Sequence, residues 1–285
     1  MEKRYIRLIP RLDIKGPNLV KGIQLEGLRV LGQPDIFAKE YYEAGACELF
    51  YMDVVASLFE RNSLTSMVSN IARDIFAPIT VGGGLRNLDD IKKVLDSGAD
   101  KVALNTAAIR NPKLISEAAN KFGSSTIVVC IEAIKQPDGR YLAFVDNGRE
   151  HTGVEVFEWT KKVADLGAGE IVITSVDREG SGAGFDIELI NQVSNLVSVP
   201  VVAHGGAGSV DDIIRVIRET KVNGIAVASI FHYYLLDKIN TFGTSKDEGN
   251  TRFLSEKRTF SKIKPISFAS LLEELKKHNV VCRSI

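Results

Sequence analysis

The sequence predicts a (β/α)8 barrel, a TIM barrel built from two similar half-barrels. Three observations carry that reading. Eight short apolar runs alternate with eight longer amphipathic stretches over 285 residues, a normal length for such a barrel. Several of the apolar runs are continuous in Val, Ile and Leu, as strands buried on both faces require. A long segment also occurs twice: PITVGGGLRNLDDIKKVLDSGADKVALNTA from Pro78 and PVVAHGGAGSVDDIIRVIRETKVNGIAVASI from Pro200. A doubly wound open sheet is the alternative for the same alternation.

The expected strands lie near 6–13, 48–53, 78–82, 101–104, 126–132, 170–175, 200–204 and 224–228. The expected helices lie near 34–44, 64–75, 88–97, 111–122, 154–166, 186–197, 209–220 and 266–278. Asn111-Pro112 reads as an N-cap followed by Pro at the first helical position. Gly45, Gly98 and Gly167 read as the stops of the helices that precede the second, fourth and sixth strands. One barrel domain then accounts for 1–285, with an insertion at 233–265 that is polar, weakly periodic and slightly basic. A stretch this long without clear elements is either a solvated insertion or a lid or docking segment.

The duplication runs through the whole chain. Gly83-Gly84 aligns with Gly205-Gly206, and Asp89-Asp90 with Asp211-Asp212, at an offset of 122. GACELFYMD from Gly45 aligns with GAGEIVITS from Gly167 at the same offset, and LDIK around Asp13 with CIEAIK around Glu132 at 119. Strands one to four therefore match strands five to eight. Asp13 and Glu132 fall at opposite points of the barrel's C-terminal face, where barrel chemistry takes place.

Composition excludes several function classes. Lys+Arg and Asp+Glu balance at 36 each, so no bulk basic charge draws the chain to nucleic acid or membrane, and an anion site has to be local. Three cysteines, Cys47, Cys130 and Cys282, are odd in number and read as reduced thiols of a cytosolic protein. Neither a signal peptide nor a run of membrane-spanning length is legible. HExxH, paired CxxC, GxSxG and Walker patterns are missing, and the four histidines are scattered, so no metal or cofactor is expected.

The glycine loops carry the first chemical expectation. Gly82-Gly83-Gly84, and Gly205-Gly206 with Gly208, each follow a strand and precede a helix. Glycine permits positive φ and close approach, so successive backbone N–H groups can converge on an anion. Asn105-Thr106 and Ala228-Ser229 end the strands that follow and can add amides and hydroxyls. Two such cradles in one molecule point to a substrate with a phosphate at each end. The two carboxylates, Asp13 and Glu132, at symmetric strand ends, point to acid/base chemistry between those phosphates. Lys21, in the first long loop, reads from the bare sequence as a solvated surface lysine.

A further constellation lies at the opposite end of the barrel. Arg7, Glu48, Lys101 and Glu170 fall at or near the starts of strands one, two, four and six. Simple charge compensation and a closed ring of ion pairs across the barrel axis both fit the spacing.

The motifs LDIK, LVKG, VGGGLRN, GADKVALNTAAIRNP, KFGS, GAGEIVITSVDREG, GGAG and ASIFH together resemble the cyclase subunit family of imidazole glycerol phosphate synthase, over roughly residues 4–232 and the last helix. The resemblance implies an ammonia-dependent cyclase and lyase of histidine synthesis. Its substrate is a bisphosphorylated ribulosyl formimino carboxamide ribonucleotide, and its products are imidazole glycerol phosphate and aminoimidazole carboxamide ribonucleotide. It implies that Asp13 is one catalytic acid/base and that Lys21 belongs to a mobile first loop. Gly84, Asn105 and Thr106 then hold one phosphate, and Gly180, Gly206, Ala228 and Ser229 the other. Arg7, Glu48, Lys101 and Glu170 become the gate through which ammonia enters from a separate glutaminase chain.

The chain departs from that family's pattern at Glu132, where Asp is usual, at His204, where Ser is usual, at Glu179, where Asp is usual, and in the insertion. One extra methylene at Glu132 moves the carboxyl by about a bond length, and a shift of about 1 Å can cost on the order of 100-fold in rate. The departures keep open a paralogue that channels ammonia from a glutaminase to a third protein for acetamidino-sugar formation in surface-polysaccharide synthesis.

Overall fold

The computed structural model describes residues 4–56, 64–238 and 262–284. Its strands are β1 (Arg4–Lys15), β2 (Asn18–Ile23), β3 (Glu26–Gly32), β4 (Leu49–Asp53), β5 (Ile79–Gly82), β6 (Lys101–Leu104), β7 (Ile127–Lys135), β8 (Tyr141–Val145), β9 (Glu150–Glu155), β10 (Glu170–Ser175), β11 (Val201–His204), β12 (Gly224–Val227) and β13 (Val280–Cys282). Eight of them close a parallel ring in the order β1-β4-β5-β6-β7-β10-β11-β12, and β12 returns to β1 through Arg7↔Gly224 to Pro10↔Val227. The ring is the (β/α)8 barrel that the alternating runs predict. In it β1 and β7 stand four strands apart, on opposite walls.

The outer layer is helical: α1 (Pro34–Glu43), α2 (Leu64–Asp74), α3 (Leu88–Asp96), α4 (Thr106–Arg110), α5 (Lys113–Phe122), α6 (Val156–Asp165), α7 (Ile187–Leu196), α8 (Val210–Glu219), α9 (Ser229–Leu236) and α10 (Phe268–Lys277). All eight expected strands and all eight expected helices are present, with ends within three residues of the expected ones. Gly45 ends α1 as expected: at φ 97° its N–H reaches the Tyr42 carbonyl, and the Ala46 N–H reaches that of Tyr41. One boundary differs. Pro112 is the N-cap of α5 and not its first residue, because α4 has already used Asn111, whose N–H bonds the Ala107 carbonyl at 2.8 Å.

Period-two alternation sorts each strand between two cores. Leu8, Leu12 and Ile14 of β1 pack outward with helix residues such as Phe37 and Tyr41. Ile9 points into the lumen with Phe50, Ala103, Val128, Cys130, Val172, Val202 and Ala226. Arg7, Arg11 and Asp13 share the Ile9 face, so β1 carries charge at both ends of an apolar lumen. This stack positions the chemistry.

The elements that periodicity missed are themselves duplicated. β1 is followed by the antiparallel hairpin β2–β3, and β7 by the hairpin β8–β9. A short helix follows the fourth barrel strand, at α4, and another follows the eighth, at α9. The insertion at 233–265 lies largely outside the described residues, whereas Lys262–Ile266 return to the barrel: Lys264 N–H bonds the Gly208 carbonyl at 2.7 Å and Ile266 N–H that of Ile230 at 3.1 Å. Among the described residues, no helix is long and apolar enough to cross a membrane.

Candidate active site at the barrel mouth

The repeated aspartates fold the two glycine loops. The Asp90 carboxylate accepts the Arg86 N–H at 3.1 Å, and the Asp212 carboxylate accepts the Gly208 N–H at 3.0 Å. Positions 86 and 208, like 90 and 212, are related by the offset of the duplication. Asn87 caps α3 and Ser209 caps α8, the latter in a capping box with Asp212. Gly83 and Gly206 have φ of 106° and 112°. A Cβ at Gly83 would lie 2.4 Å from the Asp53 carbonyl oxygen, and one at Gly206 would lie 2.2 Å from that of Gly184. Only glycine fits either turn.

The two halves differ in openness. On the Glu132 side a cavity of about 260 Å³ is lined by Gly83, Gly84, Asn105, Thr106 and Glu132, the expected first cradle together with one expected acid. On the other side Gly180, Gly206, Ala228 and Ser229 do come together, as expected, but around only about 10 Å³. The β2–β3 hairpin fills the space. Its Gln24 N–H bonds the Glu179 carbonyl at 2.8 Å and its Leu25 N–H bonds the Glu179 carboxylate at 3.1 Å.

Lys21 is 1% exposed, so the surface reading of this residue is wrong. β2 turns its ammonium inward, where it pairs with Glu179 and lies 3.4 Å from Asp13. A lysine is buried like this only when paired. Burial pulls its pKa down, but the Glu179 and Asp13 carboxylates more than offset that and raise it.

Asp13 is enclosed. It is 2% exposed, accepts the Arg11 Nε–H at 2.9 Å and faces Lys21. Burial would raise its pKa, but Arg11 and then Lys21 hold it well below the carboxylate range. Glu132, at the equivalent place on β7, has no cation bonded to it among the described residues. Its carboxylate accepts the Gly148 N–H at 2.8 Å, from the β8–β9 turn. Burial dominates and pushes its pKa up to about 7, against the lowering effects of Gly148, Arg11 and Asn105. The two acids of the mouth are therefore shifted in opposite directions.

Arg11 and His204 are site residues that motif reading missed as a pair. One Arg11 Nη lies 3.2 Å from His204 Nδ1, and the Thr174 hydroxyl lies 3.1 Å from the same nitrogen. Guanidinium can only donate, so Nδ1 accepts and the ring is neutral. Burial, then Arg11, lowers the His204 pKa well below the usual value. The Arg11 guanidinium also sits 5.5 Å from the centre of the Phe50 ring, at the top of the lumen. The signal was present in the alternation Arg7-Ile9-Arg11-Asp13, which puts all four side chains on one strand face. Cys130, by contrast, is the expected core thiol: burial pushes it up to about 12.

At the far end the four charged residues form a closed ring. Arg7 lies 3.0 Å from both Glu48 and Glu170; Lys101 lies 3.4 Å from Glu48 and 3.0 Å from Glu170. Of the two sequence readings, the ring is the one the structure shows. Against it, Ile9, Phe50, Val172 and Val202, together with Thr80 and the ring's Glu48 and Glu170, line a void of about 10 Å³, the size of one small molecule such as water.

Comparison with known proteins agrees with this geometry. A family model described as "Histidine biosynthesis protein" matches residues 7–237. The Legionella pneumophila protein named "Imidazole glycerol phosphate synthase subunit HisF" is 55% identical over 207 residues, 73% of this chain and 98% of its own. The Streptococcus mutans protein of the same name is 42% identical over 243 residues, 85% of this chain and 97% of its own. That of Lactococcus lactis is 46% identical over 228 residues, covering 80% and 88%. A duplicated barrel with two glycine cradles, two acids at its mouth and these relatives belongs to the histidine biosynthesis protein family, and within it to the cyclase subunits of imidazole glycerol phosphate synthase.

Proposed function

We propose that this chain joins ammonia to a bisphosphorylated ribulosyl formimino carboxamide ribonucleotide and releases imidazole glycerol phosphate and aminoimidazole carboxamide ribonucleotide. The observation that carries the reading is the mouth itself: two cradles from the same duplicated segment, with Asp13 and Glu132 on opposite walls between them. The loop amides at Gly84, with Asn105 and Thr106, hold one phosphate. Gly180, Gly206, Ala228 and Ser229 hold the other once the hairpin carrying Lys21 lifts away. Ammonia comes from a separate glutaminase subunit docked at the opposite end. It passes the Arg7–Glu48–Lys101–Glu170 ring and the apolar lumen, which stabilises neutral ammonia relative to ammonium. Three free cysteines support a reducing cytoplasmic setting.

The test is turnover of the purified chain with the ribulosyl substrate and ammonium salt, followed by release of the carboxamide ribonucleotide. Turnover that falls in Asp13→Asn and Glu132→Gln supports the reading; normal rates in both reject it. A chain that binds a glutaminase but gives no turnover is instead the conduit for a third protein.

A further inference from the structure

We propose that Arg11 is a positioning residue that fixes Asp13 as a standing carboxylate and leaves Glu132 as the group that moves protons at the mouth. The inference rests on the cyclase reading and assigns unequal roles to the two acids. Four geometric facts carry it. Arg11 Nε donates to Asp13 at 2.9 Å inside the barrel, where both are 2% exposed. Asp13 faces a second cation, Lys21, and does not line the open cavity. Glu132 lines that cavity beside Asn105 and Thr106. The one contact described for Glu132's carboxylate at hydrogen-bond distance from a backbone donor is the neutral Gly148 N–H.

The charges around Glu132 agree with this. From β1 it meets Arg11, which favours its ionised form, and Asp13, which opposes it. Asn105 at the end of β6 donates to it, and Thr174 of β10 is its register partner. Across the cavity stands Asp53, and at the rim Arg110, which is committed to Asp146 and Glu150 at 2.8 Å each. On its own strand Cys130 is protonated. Among the described residues no full cation bonds Glu132 directly, and burial raises its pKa to about 7. A carboxylate locked between two buried cations is a poor base, because taking a proton would strand both.

The chemistry needs one proton shuttle. Condensation of ammonia with the ribulosyl ketone replaces the C=O bond by a C=N bond and releases the oxygen as water. Addition moves one proton from nitrogen to the former carbonyl oxygen and gives a carbinolamine. A second proton reaches that oxygen as it departs, and the iminium left behind gives a proton back to become the imine. Glu132 carries these protons in turn, as acid toward oxygen and as base toward nitrogen. Asp13 keeps its charge and stabilises the cationic nitrogen that forms between the two steps.

The experiment has two arms. In the first, the free chain carries carbon-13 in its Asp and Glu side-chain carboxyls and is titrated by NMR from about pH 4 to about pH 9. The expected result is one resonance with a midpoint near neutrality that vanishes in Glu132→Gln, and an Asp13 resonance that does not move. In Arg11→Met the Asp13 resonance starts to move within that window, and Arg11→Lys restores part of the flat behaviour. A midpoint for Asp13 inside the window in the native chain overturns the proposal. In the second arm, the pH–rate profile of ammonia-dependent turnover keeps its break near neutrality in Asp13→Asn and in the Arg11→Met/Asp13→Asn double variant, which removes both buried charges together. It loses the break in Glu132→Gln, with a rate loss of about 100-fold or more. A break that persists in Glu132→Gln overturns the proposal. Absence of turnover in the native chain rejects the cyclase reading, and the first arm still decides the ionisation of the two acids.

Discussion

Arg11 on the first barrel strand reaches His204 on the seventh, with an Nη 3.2 Å from Nδ1, and holds Asp13 with its Nε at 2.9 Å. One guanidinium thus joins an acid and a neutral imidazole across the inner mouth. Asp13 and Arg11 are coupled as a buried pair, and breaking such a pair from one side costs about 3–5 kcal/mol. Asp13→Asn is therefore expected to lower stability by about that amount in urea unfolding, because Arg11 keeps its charge in a dry site. Arg11→Met/Asp13→Asn is expected to lose clearly less than Asp13→Asn alone. Equal losses would show that the two side chains are not coupled.

Glu132 sets a pH dependence of stability. Its folded pKa of about 7 stands above the ordinary value of 4.5. A raised folded pKa means that its stabilising protonated form is fully present below about pH 4.5 and is lost as pH rises through about 7. The cost of ionising it in place is on the order of 3 kcal/mol. Glu132→Gln is thus expected to match the native chain near pH 4, and to exceed it by roughly that amount near pH 8. Unfolding curves at the two pH values check this; a difference that does not change with pH would place the Glu132 carboxyl in an unperturbed state.

The bottom ring separates two roles, the ammonia gate of the proposed function and a brace of the barrel. Arg7 and Lys101 side chains keep 27% and 22% of their exposure, whereas those of Glu48 and Glu170 keep only 7% and 8%, so solvent screens the ring only in part. Lys101→Ala is expected to lower stability by about 1–3 kcal/mol, because the buried Glu48 and Glu170 lose one of their two cations and keep Arg7. With a glutaminase partner present, it is expected to raise the glutamine consumed per product formed, because ammonia escapes at the broken ring. An unchanged ratio would assign the ring to structure alone.

The second cradle depends on Gly206. Gly206→Ala meets the Gly184 carbonyl at 2.2 Å with φ at 112°, whereas Gly27→Ala, at φ 61°, has nothing within 4 Å. Gly27→Ala is expected to cost about 1 kcal/mol of backbone strain, and Gly206→Ala more, with a raised KM for the bisphosphate substrate. Similar effects of the two substitutions would remove the close packing of the cradle from the account.

The barrel was legible because its signals are local. A Val-Ile-Leu run, an amphipathic helix and a glycine stop each depend on neighbours a few residues away, and the duplicated segment from Pro78 and Pro200 fixed which halves correspond. The hairpins β2–β3 and β8–β9 were not legible, since strands of five to seven residues inside a loop are too short for a sustained period. The bottom ring was half-legible: four charges at strand starts were visible, but not which partner each would choose.

Sequence by itself determined the barrel, the two glycine cradles, the opposed acids Asp13 and Glu132, and the family. Only the tertiary structure decided that Lys21 is buried against Glu179, that one cradle is open and the other closed, and that Arg11 binds Asp13 while Glu132 meets a backbone N–H. The reason is physical. A strand's period tells which way a side chain points, but the ionisation of an acid depends on burial and on charges brought close from strands far apart in the chain, as Arg11 and His204 are by 193 residues.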